Sequence, residues 1–169
     1  PRAGLLKAKP KRRDESIVTP TMFGTILTTA GFYIVVMLGL LLAMEHADLF
    51  KHPLGGPESK ASKEFPELTI FQASIFFTVY VIFQVWNAIN CRSLTPEQSG
   101  LKGLFANRTF LTIMGLIILG QLLIVTIGGS IFQTQALGII EWLCIFAGTA
   151  SVLVFGEVVR MFRKGKSVE

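Results

Sequence analysis

Leu68-Thr69-Ile70-Phe71-Gln72-Ala73-Ser74-Ile75-Phe76-Phe77-Thr78-Val79-Tyr80-Val81-Ile82-Phe83-Gln84-Val85-Trp86-Asn87-Ala88-Ile89 is a run of 22 residues without a charge. A helix rising about 1.5 Å per residue needs roughly 20 residues to cross the ~30 Å hydrocarbon core of a bilayer, so this run is long enough. A membrane-spanning strand would alternate apolar and polar side chains, and this run does not. Three further runs read the same way. Met22–Met44 holds 23 uncharged residues, and Thr109–Ile127 holds 19 with Gln121 as its one strongly polar group. Ala136–Phe162 is apolar except for Glu141, Glu157 and Arg160. The sequence therefore predicts an all-α integral membrane fold, with four transmembrane helices at about 22–44, 68–89, 109–127 and 137–159.

Composition agrees. Of 169 residues 51% are hydrophobic and only 16% charged, whereas a soluble domain of this size carries about 25% charge. The length allows one domain, residues 1–169. Cys91 and Cys144 are too few for a disulfide framework and form no C-x-x-C pair. The first apolar run is too long for a signal peptide, starts behind 21 residues, and ends in Met44-Glu45-His46 without a small-residue cleavage site. It is expected to be a retained helix.

The basic residues set the orientation. Arg2, Lys7, Lys9, Lys11, Arg12 and Arg13 precede the first run; Arg92, Lys102 and Arg108 flank the second loop; Arg160, Arg163, Lys164 and Lys166 close the chain. Only Lys51, Lys60 and Lys63 fall on the opposite side, among five acids. With 13 of 16 basic residues on one side, the positive-inside rule places both termini and the loop Asn90–Arg108 in the cytoplasm. The loop His52-Pro53-Leu54-Gly55-Gly56-Pro57-Glu58 is rich in breakers and is expected to be irregular. Ser93-Leu94-Thr95-Pro96-Glu97 suits a turn or a short helix start, and Gly128-Gly129 ends the third run. So few residues separate the third and fourth runs that they should form an antiparallel hairpin.

Catalytic motifs are missing. Gly165-Lys166-Ser167 imitates the end of a phosphate-binding loop, but Arg160 stands where its first glycine belongs. The two aspartates, Asp14 and Asp48, lie in polar flanks. His46 and His52 share an outer loop with Glu45 and Asp48, at a spacing that fits no recognised metal-ligand set and reads as a solvated acidic loop. Glu157 and Arg160 are three apart and suit an ion pair at the inner surface, while Glu141 beside Trp142 suits the outer interface. Gly24, Gly31 and Gly39, and Gly115 and Gly120, either permit close helix contacts or reflect ordinary transmembrane glycine usage.

Polar chemistry gathers in Phe83-Gln84-Val85-Trp86-Asn87-Ala88-Ile89-Asn90. Gln84, Asn87 and Asn90 are three apart and advance along one side of a helix. Amides are costly against lipid, so this side is expected to face other helices or a polar cavity. The simpler reading is that they join helices or cap a helix end, at about 0.6–2 kcal/mol each.

A family resemblance rests on these residues. Gln84-Val85-Trp86-Asn87-Ala88-Ile89-Asn90-Cys91-Arg92, then Gly103-Leu104-Phe105-Ala106-Asn107-Arg108-Thr109-Phe110, then Gln121-Leu122-Leu123-Ile124-Val125 resembles the carboxyl-terminal membrane region of P-type calcium-transporting ATPases. The pattern is nearest the plasma-membrane type, Q-x-x-N-x-x-N-x-R, loop, G-[LI]-F-x-N, then a helix with Q-x-x-[IV]-V. Leu6-Lys7-Ala8-Lys9-Pro10-Lys11-Arg12-Arg13-Asp14-Glu15 resembles the basic stretch that follows the sixth helix there. The likeness implies that the four spans are the seventh to tenth helices of a ten-helix pump. It also implies a cell-membrane location, the remaining helices and cytoplasmic domains of the pump as partners beside the lipid bilayer, and calcium as the ion carried.

The resemblance further implies that Gln84, with Asn87 near it, forms part of the wall of the ion path. Reticulum-type relatives place a glutamate at the position of Gln84, where it helps form a second calcium site. An amide keeps a carbonyl oxygen for calcium but brings no charge. The D-K-T-G phosphorylation loop and the nucleotide and actuator domains are not in this sequence. The chain is therefore expected to be part of a pump and to bind no cofactor itself, with calcium, magnesium and ATP serving the complete protein. Its short end after Phe162 resembles bacterial members. Two alternatives stand beside the pump reading, a stand-alone four-helix scaffold and a small ion-conducting protein. No nucleic-acid partner is expected.

Overall fold

The computed structural model describes residues 20–47, 49–50, 60–61, 68–92, 101 and 103–166. The helices are α1 (Pro20–His46), α2 (Ile70–Asn90), α3 (Arg108–Ile127), the one-turn α4 (Gly129–Phe132), α5 (Ile139–Thr149) and α6 (Ser151–Lys166). Four stretches are long and apolar enough to cross a membrane: Met22–His46, Ile70–Asn90, Arg108–Ile127 and Ile139–Phe162. Among the described residues β-pairing is confined to one isolated antiparallel bridge, Ala61 to Thr69. The expected all-α membrane architecture is the one found.

The second apolar run is the axis of the bundle. α1, α3, α5 and α6 all pack on α2, so half of its central window is buried, whereas none of α1's is. The third and fourth spans are joined by the short link through α4, yet the arms of this hairpin close mainly on α2. In lipid, helix association depends on close packing and interhelical hydrogen bonds rather than on expulsion of water. α2 supplies both. Phe71, Ile75, Val79, Ile82 and Phe83 join Met44, Leu68, Ile145 and Val152 in the core cluster, with Tyr33, Val36 and Leu40 of α1 against it. Phe32 stacks on Phe155 with ring centroids 4.3 Å apart, and Tyr33 meets Phe83 edge-on at 5.1 Å. Offset stacks and T-shaped pairs are the favoured geometries for such rings.

Sequence-local chemistry sets the helix ends. Thr69 and Gln72 form a capping box at the start of α2, the hydroxyl accepting from Gln72 N and the amide oxygen from Thr69 N. The Gln72 Nε2 group reaches across to donate to Met44 O and Leu49 O, both at 2.9 Å. Met44 O is among the last four carbonyls of α1 and has no partner within its own helix. Gln72 therefore caps two helices at once. A polar seam continues inward: Thr78 Oγ1 donates to Ser74 O and accepts from Gln121 Nε2, while Ser74 Oγ accepts from Gln135 N. Gln121 is buried and joins α3 to α2.

Gly128 caps α3, and Gly129 turns the chain with φ of 40°, where glycine is the low-strain choice. The fourth span is divided at Ala150. Thr149 Oγ1 donates back to Ile145 O and Phe146 O, and the next turn tightens with Leu153 N donating to Ala150 O. A threonine hydroxyl that back-bonds in this way competes with the backbone and bends a helix.

Candidate functional site

The inner half of α2 is fixed from three sides. On α1, Tyr33 Oη donates to Phe83 O at 2.6 Å. On α5, Thr149 Oγ1 accepts from Trp86 Nε1 at 3.1 Å. On α6, Val152 O accepts from Asn90 Nδ2 at 2.9 Å, and Arg160 Nη2 donates to Asn90 O at 2.7 Å. Arg160 is itself held by Glu157, 2.6 Å away, so the ion pair expected from their spacing also anchors α2. Tyr33 and Trp86 were not singled out in the sequence. Their signal is a ring with one polar tip inside an apolar run, and such tips find partners when buried.

This arrangement separates the three amides that sequence spacing had aligned. Three residues turn a helix about 300°, so each step falls about 60° short of a full turn, and two steps displace the side chain by about 120°. Asn90 accordingly bonds α6, Asn87 is half-buried, and Gln84 is exposed. Gln84 does not turn toward the other spans of this chain. It lies on an outward stripe of α2 with Phe77 and Tyr80, 41% and 50% exposed. Among the described residues no side chain or backbone group hydrogen-bonds the Gln84 or Asn87 amide. The inward polar groups of α2 (Gln72, Ser74, Thr78, Trp86 and Asn90) bond within the chain.

The residues of the loop between α2 and α3 prove architectural. Arg92 donates to Gly103 O at 3.0 Å and lies over the Phe110 ring, 5.1 Å from its centroid. Gly103 has φ of 66°, a backbone state that glycine reaches without strain. Asn107 Oδ1 accepts from Phe110 N and so caps α3. Gly, Asn and Arg at this spacing close the link between α2 and α3. Ser93–Glu97, where a turn was expected, lies outside the described residues.

The other candidates fall into place. Glu141 is buried in the first turn of α5, its carboxylate folded over Gly138, where the helix N-terminus favours negative charge. It borders a largely apolar cavity of about 230 Å³ between α1, α2 and α5. His46 and Glu45 are exposed, 3.9 Å apart, while Asp48 and His52 lie outside the described residues. Among the described residues no three His, Cys, Asp or Glu side chains gather as a metal site. Among the described residues no atom from another part of the chain would come within 4 Å of a Cβ at Gly31, Gly39, Gly115 or Gly120, so these glycines serve no close contact between the described spans. The Gly165–Ser167 imitation of a phosphate loop begins inside α6, which does not offer the strand-to-helix turn such a loop requires.

Comparison with known proteins agrees with this architecture. Residues 1–162 match the family described as cation transporting ATPase, C-terminus. The chain is 30% identical over 164 residues to plasma membrane calcium-transporting ATPase 2 of Oreochromis mossambicus, covering 94% of this chain and 14% of the relative. It is 32% identical to plasma membrane calcium-transporting ATPase 1 of Homo sapiens, covering 94% and 12%. To calcium-transporting ATPase 2 of Cryptococcus neoformans var. grubii it is 30% identical, covering 95% and 10%. The chain thus spans only about a tenth to a seventh of the length of these relatives. The family match over residues 1–162, on a chain with four helices long and apolar enough to cross a membrane, makes this chain a member of the cation-transporting ATPase C-terminal family.

Proposed function

We propose that the chain is the supporting carboxyl-terminal membrane subdomain of an ATP-driven calcium pump, and that its α2 presents Gln84 to the ion-carrying helices supplied by the rest of that pump. One observation carries this reading. The inward polar groups of α2 bond within the chain, whereas the Gln84 amide lies exposed on the outward stripe. An amide left against hydrocarbon costs several kcal/mol, so this face calls for a polar partner. The relatives are named calcium-transporting ATPases, which makes the helices of an ion path the fitting partner.

On this reading the division of labour is clear. The four helices form a rigid scaffold, and Gln84 with Asn87 forms part of a polar wall. The carbonyl oxygen of Gln84 suits a hard cation, but without charge it supports a path better than it builds a binding site. Calcium is the ion carried, while ATP and magnesium act on domains outside this chain. Both ends of the chain and the loop Asn90–Arg108 face the cytoplasm, a reading supported by the 13 of 16 basic residues on that side. The test is ATP-driven calcium uptake by vesicles bearing the complete polypeptide that contains this chain, compared with the same polypeptide lacking residues 1–169. Uptake by the first and not by the second is expected. Absence of uptake by the complete polypeptide would refute the pump reading.

A further inference from the structure

We propose that Asn90, seated on Gly156 and gripped by Arg160, is the positioning residue that fixes the rotation of the inner half of α2 and so the direction in which Gln84 points. For its functional consequence this rests on Gln84 bordering the ion path; the geometric claim is independent of it.

The seat is defined by a missing side chain. A Cβ at Gly156 would stand 2.7 Å from both Asn90 Nδ2 and Asn90 Oδ1, and 2.8 Å from Cγ. The Asn90 amide therefore lies flat on the glycine. Cβ atoms tilt toward the N-terminus of a helix, so a side chain at position 156 would overhang the turn that begins at Val152. With glycine there, Val152 O is open to Asn90 Nδ2 at 2.9 Å. The grip comes from the other side. Asn90 O is among the last four carbonyls of α2 and has no partner within that helix; Arg160 Nη2 supplies one at 2.7 Å. The Arg160 side chain is only 13% exposed and is held in place by Glu157.

Asn90 is thus fixed through its side chain and its backbone, both to α6. A helix tied at one point can still turn about that point, but α2 is tied again one and two turns deeper, by Trp86 to Thr149 and by Tyr33 to Phe83 O. The three ties face α1, α5 and α6, and Gln84 lies between them in sequence on the side that carries none. Expelling the amide from Gly156 breaks its bond to Val152 O and pushes the end of α2 away from α6, leaving only the Arg160 bond to the Asn90 backbone, under strain. The inner turns of α2 must then rotate or tilt, and Gln84 moves with them.

The experiment uses the complete pump containing this chain, with Cys91→Ser and Cys144→Ser as background and Gln84→Cys as reporter. The reaction of the reporter with a small methanethiosulfonate is timed. Gly156→Ala should change its rate severalfold. Adding Asn90→Ala to Gly156→Ala relieves the collision, and the rate should match that of Asn90→Ala alone. Should Gly156→Ala fail to accumulate, Arg160→Lys, which keeps the charge but loses the second donor, is read in the same assay and should also change the rate. Calcium uptake is measured in parallel with Gln84 intact, where Gly156→Ala should weaken apparent calcium affinity more than maximal rate. An unchanged reporter rate in Gly156→Ala and Arg160→Lys overturns the proposal. A changed rate with unaltered calcium affinity upholds the positioning and refutes the role of Gln84 in the ion path.

Discussion

Gln72→Leu should be the most destabilising single amide substitution in this chain. The side chain is 2% exposed. Its Nε2 group donates to Met44 O and Leu49 O, each at 2.9 Å, and its Oε1 accepts from Thr69 N at 2.9 Å. Leucine preserves volume and removes these three bonds together with the longer one from Thr69 Oγ1 at 3.2 Å. The three short bonds, at about 0.5–1.5 kcal/mol each, total about 1.5–4.5 kcal/mol. The two carbonyls lie at the end of the bundle where α1 finishes and α2 begins, where water can replace part of the loss, so about 2 kcal/mol is expected, toward the mean for interhelical bonds in membranes. Gln121→Leu removes one donated bond, to Thr78 Oγ1, and should cost about 0.6–1.7 kcal/mol. The assay is the SDS mole fraction at half-unfolding of the purified complete protein in mixed micelles. Equal midpoints for the two variants would refute the claim that Gln72 caps both α1 and α2.

Further expectations follow from the same geometry. Tyr33→Phe deletes only the hydroxyl bonded to Phe83 O and should cost about 0.5–1.5 kcal/mol in the same unfolding assay, with the ring contact to Phe83 retained. Burial pushes the Cys91 thiol above its ordinary range while the Arg160 charge pulls it back, so less thiolate is present at a given pH. Its alkylation should remain slow at neutral pH and rise only in alkaline solution, and Arg160→Gln should slow it further; a faster reaction in the variant would contradict this. With the native cysteines removed, single cysteines introduced by Lys60→Cys and Lys166→Cys should react with an impermeant reagent from outside and from inside respectively. The reverse pattern would invert the topology.

The spans were legible because they lack something. Three runs of 19–23 residues without charge, and a fourth with charges only toward its ends, leave few structures open to a chain in lipid. The central place of α2 was less legible, since its one mark is that it is the least apolar of the four spans; Gln72, Ser74 and Thr78 carry polar groups that are tolerable only where neighbours receive them. The break at Ala150 depends on the hydroxyl of Thr149 turning back on its own helix, which spacing alone does not show. Sequence also placed Gln84, Asn87 and Asn90 in one row, and the row exists, but a 60° slip per step sends its ends to different faces. The end that meets this chain rests on Gly156, against which the Asn90 amide lies. That glycine reads as one small residue among several, while a Cβ at the more conspicuous Gly31 or Gly39 would meet nothing within 4 Å among the described residues.

The central claim is that α2 turns the Gln84 amide outward to the ion path while Gln121 only joins helices. It is tested most directly by calcium uptake into vesicles bearing the complete pump, at matched protein level, with wild type, Gln84→Leu and Gln121→Leu compared across calcium concentrations. Loss of the Gln84 amide leaves a polar partner unsatisfied at about 1–3 kcal/mol, equivalent to roughly five- to 150-fold in apparent calcium affinity. The account predicts a loss in that range for Gln84→Leu and a much smaller one for Gln121→Leu. Equal calcium affinity and turnover in wild type and Gln84→Leu would contradict it.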